Sequence, residues 1–162
     1  MNRVKQFFSY AIAKLDINDK MYIEKHLNND EIVLFNKLSI HEQKHSVNVA
    51  RDVESECKIN LVDSNNLVKT ALLHDIGKIK VPVNIIDKSI VVILDKITKS
   101  KIRELKSIKK IYIHYNHGYE GYKILKKINE NEEILFMVKN HHNKDLKNNL
   151  ELNILKKCDD RN

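Results

Sequence analysis

His74-Asp75 closes an apolar run made of Leu67, Val68, Ala71, Leu72 and Leu73, and Ile76-Gly77-Lys78 follows at once. An imidazole beside a carboxylate at the end of a buried helix is costly, because neither group tolerates burial without a partner. A divalent cation satisfies both, taking one neutral nitrogen and one negative oxygen. Further groups of the same kind are spread along the chain: His45, His117, the pair His141-His142, and Asp159. The pattern points to a metal site assembled from several helices.

With 162 residues the chain is long enough for one domain with a real core. Three glycines, one proline and no tryptophan suit a mostly helical protein with few tight turns. The formal charge of +7 favours an anionic partner, a phosphate compound or a nucleic acid. The lysines are scattered rather than blocked, so an ordinary solvated surface accounts for them equally well. Cys57 and Cys158 stand far apart in no C-x-x-C spacing, which argues against a disulfide framework or a thiolate zinc site. The N-terminal stretch has no signal-peptide core, and apolar runs such as Ile90 to Leu94 are too short to span a bilayer. The expectation is a soluble, cytoplasmic protein with no membrane partner.

The periodicity of Val4, Phe7, Phe8, Ala11, Ile12 and Leu15 predicts a helix over 2–15. Asp19 is expected to cap a second helix through Leu27, and Asp30 a third ending near Leu38. Ser39-Ile40-His41-Glu42 has the form of a capping box. The helix it opens should reach Cys57, with Val47, Ala50, Val53 and Cys57 facing the core. Asp63 or Ser64 starts the next, and Gly77 is expected to end it in a left-handed conformation. A loop with Pro82 follows between Lys78 and Lys88, and the run Ile90 to Leu94, whose β-branched residues would also suit a strand, is read as a buried helix because no partner strand is evident. Helices are expected at 117–128, 132–142 and 150–160, the last two capped by Asn131 and Asn149. No repeat or linker divides the chain.

A lone histidine on an apolar face is usually a hydrogen-bonded core or surface residue, and His26 and His114 are read so; His41 is left open. The others gain weight from their joint order. His45, His74-Asp75 and Asp159 stand in the order in which the HD superfamily of metal-dependent phosphohydrolases places its signature, and the chain resembles that superfamily over about 39–160. The stretch from His74 to Lys88 is most similar to the HD-GYP branch. So is His117 followed by Gly121-Tyr122-Lys123-Ile124-Leu125, and so is the double histidine His141-His142. The departures are specific. After the double histidine that branch continues with glutamate and a Gly-Tyr-Pro segment, whereas this chain reads Asn143-Lys144-Asp145-Leu146, which counts against cyclic-dinucleotide phosphodiesterase activity. His41 stands where some members place a metal-binding glutamate, and Asn48 replaces a common basic residue.

The resemblance implies an all-α HD-domain helical bundle over 39–162, with residues 1–38 as an N-terminal helical extension packed on it. It implies that His45, His74, Asp75 and Asp159 hold one metal, and that His117, His141 and His142 hold a second, with Asp75 bridging. One or two divalent ions of Mn, Fe, Co, Ni or Zn suit imidazole and carboxylate ligands without thiolate. Asp75 and Lys78 are then the catalytic candidates, Lys78 contacting a substrate phosphate as a point charge while a metal-bound hydroxide attacks. The expected substrate is a phosphate-containing small molecule, a nucleotide or related phosphoester. The alternative is a catalytically degenerate HD domain serving as a regulatory or ligand-binding module. Nucleic acid, resting on charge alone, ranks last as a partner. Lys80, Lys144 and Lys147 are either solvated or line an anionic entrance, and a homo-oligomer is left open.

Overall fold

A computed structural model describes residues 14–81 and 107–162. The helix expected over 2–15 falls almost wholly outside them, as do Pro82 and the run at 90–94. The described elements are α1 (Ile17–His26), α2 (Asn29–Phe35), α3 (Ile40–Asn60), α4 (Asn65–Leu73), a 3-10 turn (Ile76–Lys80), α5 (Lys109–Lys126), α6 (Glu132–Asn140) and α7 (Leu150–Arg161). Among the described residues there is no strand, so the architecture is all-α as expected, and no helix is long and apolar enough to cross a membrane.

The starts of α1 and α2 follow pairs of residues rather than single acids. α1 is capped by Asp16, with Asp19 as its reciprocal partner three residues on, and α2 by Asn28 with Glu31. The expected caps, Asp19 and Asp30, are therefore each displaced to an earlier residue. A capping box satisfies two free amide hydrogens at once, so the pair outweighs a lone carboxylate. Asn131 and Asn149 cap α6 and α7 as expected. α5 begins at Lys109 rather than at His117, because Ile113, His117, Gly121 and Leu125 form one buried four-residue seam. The lysine-rich composition of its first turn had hidden that seam.

α3 buries Val47, Ala50, Val53 and Cys57, and packs against α4 and α7. Ile23, Leu27, Phe35 and Leu38, from α1, α2 and their connections, join the same cluster as Leu72, Leu73, Val138 and Leu155. Gly77 does not end α4. The helix stops at Leu73, no described glycine has a positive φ, and Gly77 lies inside the 3-10 turn. Its purpose is close approach. A Cβ there would stand 2.0 Å from His117 O and 2.7 Å from Gly121 N, both backbone atoms that cannot swing away. The turn carrying Lys78 thus rides directly on the backbone of α5.

Two substitutions test these local readings. Gly77→Ala should cost about 2 kcal/mol or more, since the 3-10 turn must lift off α5. Leu61 ends α3 at φ 56 and is 93% exposed, so it carries left-handed strain with no packing in return. Leu61→Gly should stabilise by roughly 0.5–1 kcal/mol, raising Tm by about 1–4 °C. Thermal unfolding by circular dichroism measures both; equal melting temperatures for Gly77→Ala and the parent would contradict the close-approach argument.

Candidate metal centre

Five helices deliver the candidate side chains to one place. α3 presents His45 from its second turn, α4 ends at His74 with Asp75 next, α5 supplies His117 from mid-helix, α6 ends at His141-His142, and α7 supplies Asp159. The ring centroids of His45 and His74 are 5.5 Å apart, those of His74 and His141 5.1 Å, and those of His117 and His141 5.1 Å. Two compact groups of possible ligand atoms result, His45/His74/Asp159 and His117/His141/His142, with His74/Asp75/His141 overlapping both.

The hydrogen bonds fix which nitrogen faces inward. His74 Nδ1 is 2.7 Å from Ala71 O, His141 Nδ1 is 2.7 Å from Val138 O, and His117 Nδ1 is 3.0 Å from His114 O. A carbonyl can only accept, so each Nδ1 carries the proton and donates it. In the neutral ring Nε2 is then a bare lone pair. His117 Nε2 stands 3.1 Å from His141 Nε2 and 3.0 Å from His142 Nε2. Between His117 and His141, both fixed by carbonyls, two bare lone pairs at this distance repel unless a proton or a metal ion lies between them. The separations match the edges of a coordination shell, about 3.0 to 3.4 Å for ligands held at roughly 2.1 Å from an ion. His74 Nε2 is buried with no hydrogen-bond partner, 3.5 Å from Asp75 Oδ2 and 3.6 Å from Asp159 Oδ1. These residues fit a divalent cation.

Asp75 looks both ways. Its Oδ1 is 3.2 Å from His117 Nε2, and its Oδ2 faces His74 at 3.5 Å and His45 at 4.0 Å. Lys78 also contacts Oδ2, from one turn along. His45 Nε2 is 3.0 Å from Asp159 Oδ1. Burial works to raise the Asp75 pKa, but the Lys78 ammonium and then His74 outweigh it, holding the carboxyl well below its usual range. Burial likewise opposes ionisation of Asp159, and the His45 hydrogen bond together with the nearby His74 imidazole overcomes it. Burial alone would depress His74, yet Asp75 and Asp159 raise it to about 9. At His117 burial wins and takes the imidazole down to about 3; His141 is pushed well below 6.5 for the same reason.

The remaining candidates stand apart from these groups. His26 packs on Tyr22, His114 packs edge-on against Tyr115 and offers its carbonyl to His117, and Asp160 is exposed where Asp159 is half-buried. His41 is half-buried one turn before His45 and belongs to none of the three ligand groups. Lys80 pairs with the buried Glu120, so it is no simple solvated lysine, while Lys144 and Lys147 are exposed. Two features escaped the sequence reading. Glu120 gathers Lys80, Lys123 and Tyr112 beneath the 3-10 turn. Glu42, read there as half of a capping box, is buried with its Oε1 3.6 Å from Lys78 Nζ.

A family model described as HD domain matches residues 43–161. Neither the curated proteins nor the solved structures give a match.

The buried imidazoles predict a pH dependence for chelator-treated protein. His117 and His141 stay neutral in the fold where an unfolded chain binds protons below about 6.5, so between about 6.5 and about 3 the unfolded state holds more protons. Stability should therefore fall as pH drops through that window. Urea midpoints measured from pH 7 to pH 4 read this directly, and His141→Gln should flatten the decline. A midpoint independent of pH in this range would mean that the imidazoles are not buried as described.

Proposed function

Because the chain belongs to the HD domain family, we propose that it is a metal-dependent phosphohydrolase acting on a nucleotide or related phosphoester. Members of that family are generally metal-dependent hydrolases of phosphate esters. The observation that carries the reading here is the meeting of the carbonyl-locked imidazoles of His117 and His141 at 3.1 Å between Nε2 atoms, with His142 Nε2 3.0 Å from His117 Nε2. His45, His74, Asp75 and Asp159 would hold one ion, and His117, His141 and His142 a second, with Asp75 shared. The opposed directions of the two Asp75 oxygens support that sharing. Neither cysteine belongs to a ligand group, so the donor set is nitrogen and oxygen, suited to Mn, Fe, Co, Ni or Zn. Bound divalent ions lower the pKa of water and stabilise charge on phosphate oxygens.

The chain's own residues do the rest. The backbone carbonyls of Ala71, Val138 and His114 orient the imidazoles and fix their tautomers. Burial keeps His117 and His141 neutral and ready to donate lone pairs. Lys78 is 16% exposed at the edge of the cluster and stays cationic, its pKa raised because Asp75 and Glu42 overcome the effect of burial. It would meet a substrate phosphate there.

Within the family, the segment around His74-Asp75 and the double histidine favour kinship with the HD-GYP branch, without its Gly-Tyr-Pro element. Residues 1–38 would form an extension of the domain at 39–162, its described part packed on the common core. A cytoplasmic location and a small phosphorylated partner complete the reading. The competing view, a degenerate domain kept for binding, draws on Asn143-Lys144-Asp145-Leu146 replacing the branch's glutamate and Gly-Tyr-Pro. Degeneration that spared every signature histidine and aspartate would be unusual, so hydrolysis is the stronger reading.

Purified protein should contain transition metal by elemental analysis, and His74→Ala or Asp75→Ala should lose it together with hydrolysis of a phosphomonoester and phosphodiester panel. Lys78→Ala should keep its metal and turn over more slowly. A chain that takes up neither Mn nor Fe after chelation would end the enzymatic reading.

A further inference from the structure

In α1 and α2 the residue three places after the cap closes a capping box. Asp19 accepts from the Asp16 N–H at 3.1 Å, and Glu31 from the Asn28 N–H at 2.8 Å. Ser39 and Glu42 have the same spacing in α3, yet Glu42 is used differently. Its Oε2 accepts from the Ser39 hydroxyl at 2.9 Å, and its Oε1 faces Lys78 Nζ at 3.6 Å. The cap serine thus braces the carboxylate inward, with the Glu42 side chain only 5% exposed. A carboxylate buried at this cost and turned toward an ammonium belongs to that ammonium's surroundings.

Lys78 needs such a brace. Its side chain is long and rotamer-rich, and fixing it costs entropy that a single contact recovers poorly. Its nearest partner, Asp75, has both oxygens committed to the imidazole cluster as well. Among the described residues, Glu42 is the other carboxylate within ion-pair reach of Nζ. It stands one turn before His45 on the same helix, so α3 fixes a candidate ligand and the lysine's brace in one rigid frame.

We propose that Glu42 is a positioning residue, holding the Lys78 ammonium at the rim of the histidine–aspartate cluster where a phosphate group would be received. The phosphate rests on the phosphohydrolase reading; the Glu42–Lys78 linkage does not. A glutamate serving only as a helix cap would affect stability and leave anion binding unchanged.

The test uses the full chain with Mn(II) added, comparing the parent, Glu42→Gln, Lys78→Ala and the double variant for binding of inorganic phosphate by calorimetry. Glutamine keeps the size and the Ser39 contact and removes the charge. Metal content and Tm of Glu42→Gln should match the parent, while phosphate affinity falls on the order of tenfold, the loss of one charge-assisted contact. Adding Glu42→Gln to Lys78→Ala should cost nothing more. Glu42→Asp, which retains the charge on a shorter arm, should recover part of the affinity and covers the case in which Glu42→Gln does not fold. Unchanged phosphate affinity in Glu42→Gln, an equal loss with and without Lys78, or no recovery in Glu42→Asp overturns the proposal. If the parent takes up no metal, the phosphohydrolase reading fails by itself. The linkage is then read on metal-free protein from the rate at which an amine-reactive reagent labels Lys78, followed by mass spectrometry. Labelling several-fold faster in Glu42→Gln sustains it, and an unaltered rate overturns it.

Discussion

The centre depends on helix ends. A helix leaves its last carbonyls short of amide donors, and something else must satisfy them. In α4 and α6 the satisfying group is an imidazole: His74 and His141 each donate Nδ1–H to the carbonyl three residues back. That hydrogen bond does two things at once. It closes the helix, and it places the Nδ1 proton so that Nε2 is the nitrogen left to bind once the ring is neutral. His117 reaches the same result from mid-helix through His114 O, and the seam of Ile113, Gly121 and Leu125 keeps it buried. Capping and ligand orientation are therefore one interaction, which makes the centre a consequence of how the helices stop.

Charge balance explains why the arrangement suits a cation rather than merely tolerating one. Asp75 and Asp159 are held ionised against burial, while His117 and His141 are held neutral by it. Lys78, and His74 with its pKa near 9, supply the compensating positive charge in the metal-free protein. A divalent ion held by His74 would have to displace that proton, so its uptake would release a proton and strengthen as pH rises. Lys78 need not leave, because Glu42 gives its charge a second counterion.

Much of this was legible in the sequence, for a specific reason. Histidines and acids on apolar helical faces are rare enough that their ordered spacing carries information, and Val47, Ala50, Val53 and Cys57 gave the face of α3 by periodicity alone. What was not legible depended on three dimensions. Gly77 looked like a helix stop because glycines commonly are; its actual constraint is the α5 backbone, forty residues away in the chain and at van der Waals distance in space. The true caps of α1 and α2 were missed because a lone acid resembles a cap until its partner three residues on is considered. Glu42 was hidden by the opposite effect. The capping box expected of Ser39 and Glu42 explained it without a second partner; the structure lacks the reciprocal bond to the Ser39 N–H and turns the carboxylate toward Lys78 instead.

The segment after His142 is tied to the same cluster. Between His142 and α7 the chain has a short connection fastened to that helix: Lys156 donates to Asn143 O and, at 3.2 Å, to Leu146 O. Lys156 lies one turn before Asp159 on that helix, so the same element that brings the carboxylate to His45 also pins the connection. A decaying site would be expected to lose its costly buried ionisable groups first, since each is destabilising without a function to retain it. Here those groups are brought together, and the segment after His142 is itself anchored by a lysine and capped into α7 by Asn149. That combination is the reverse of the pattern expected from a decaying cluster.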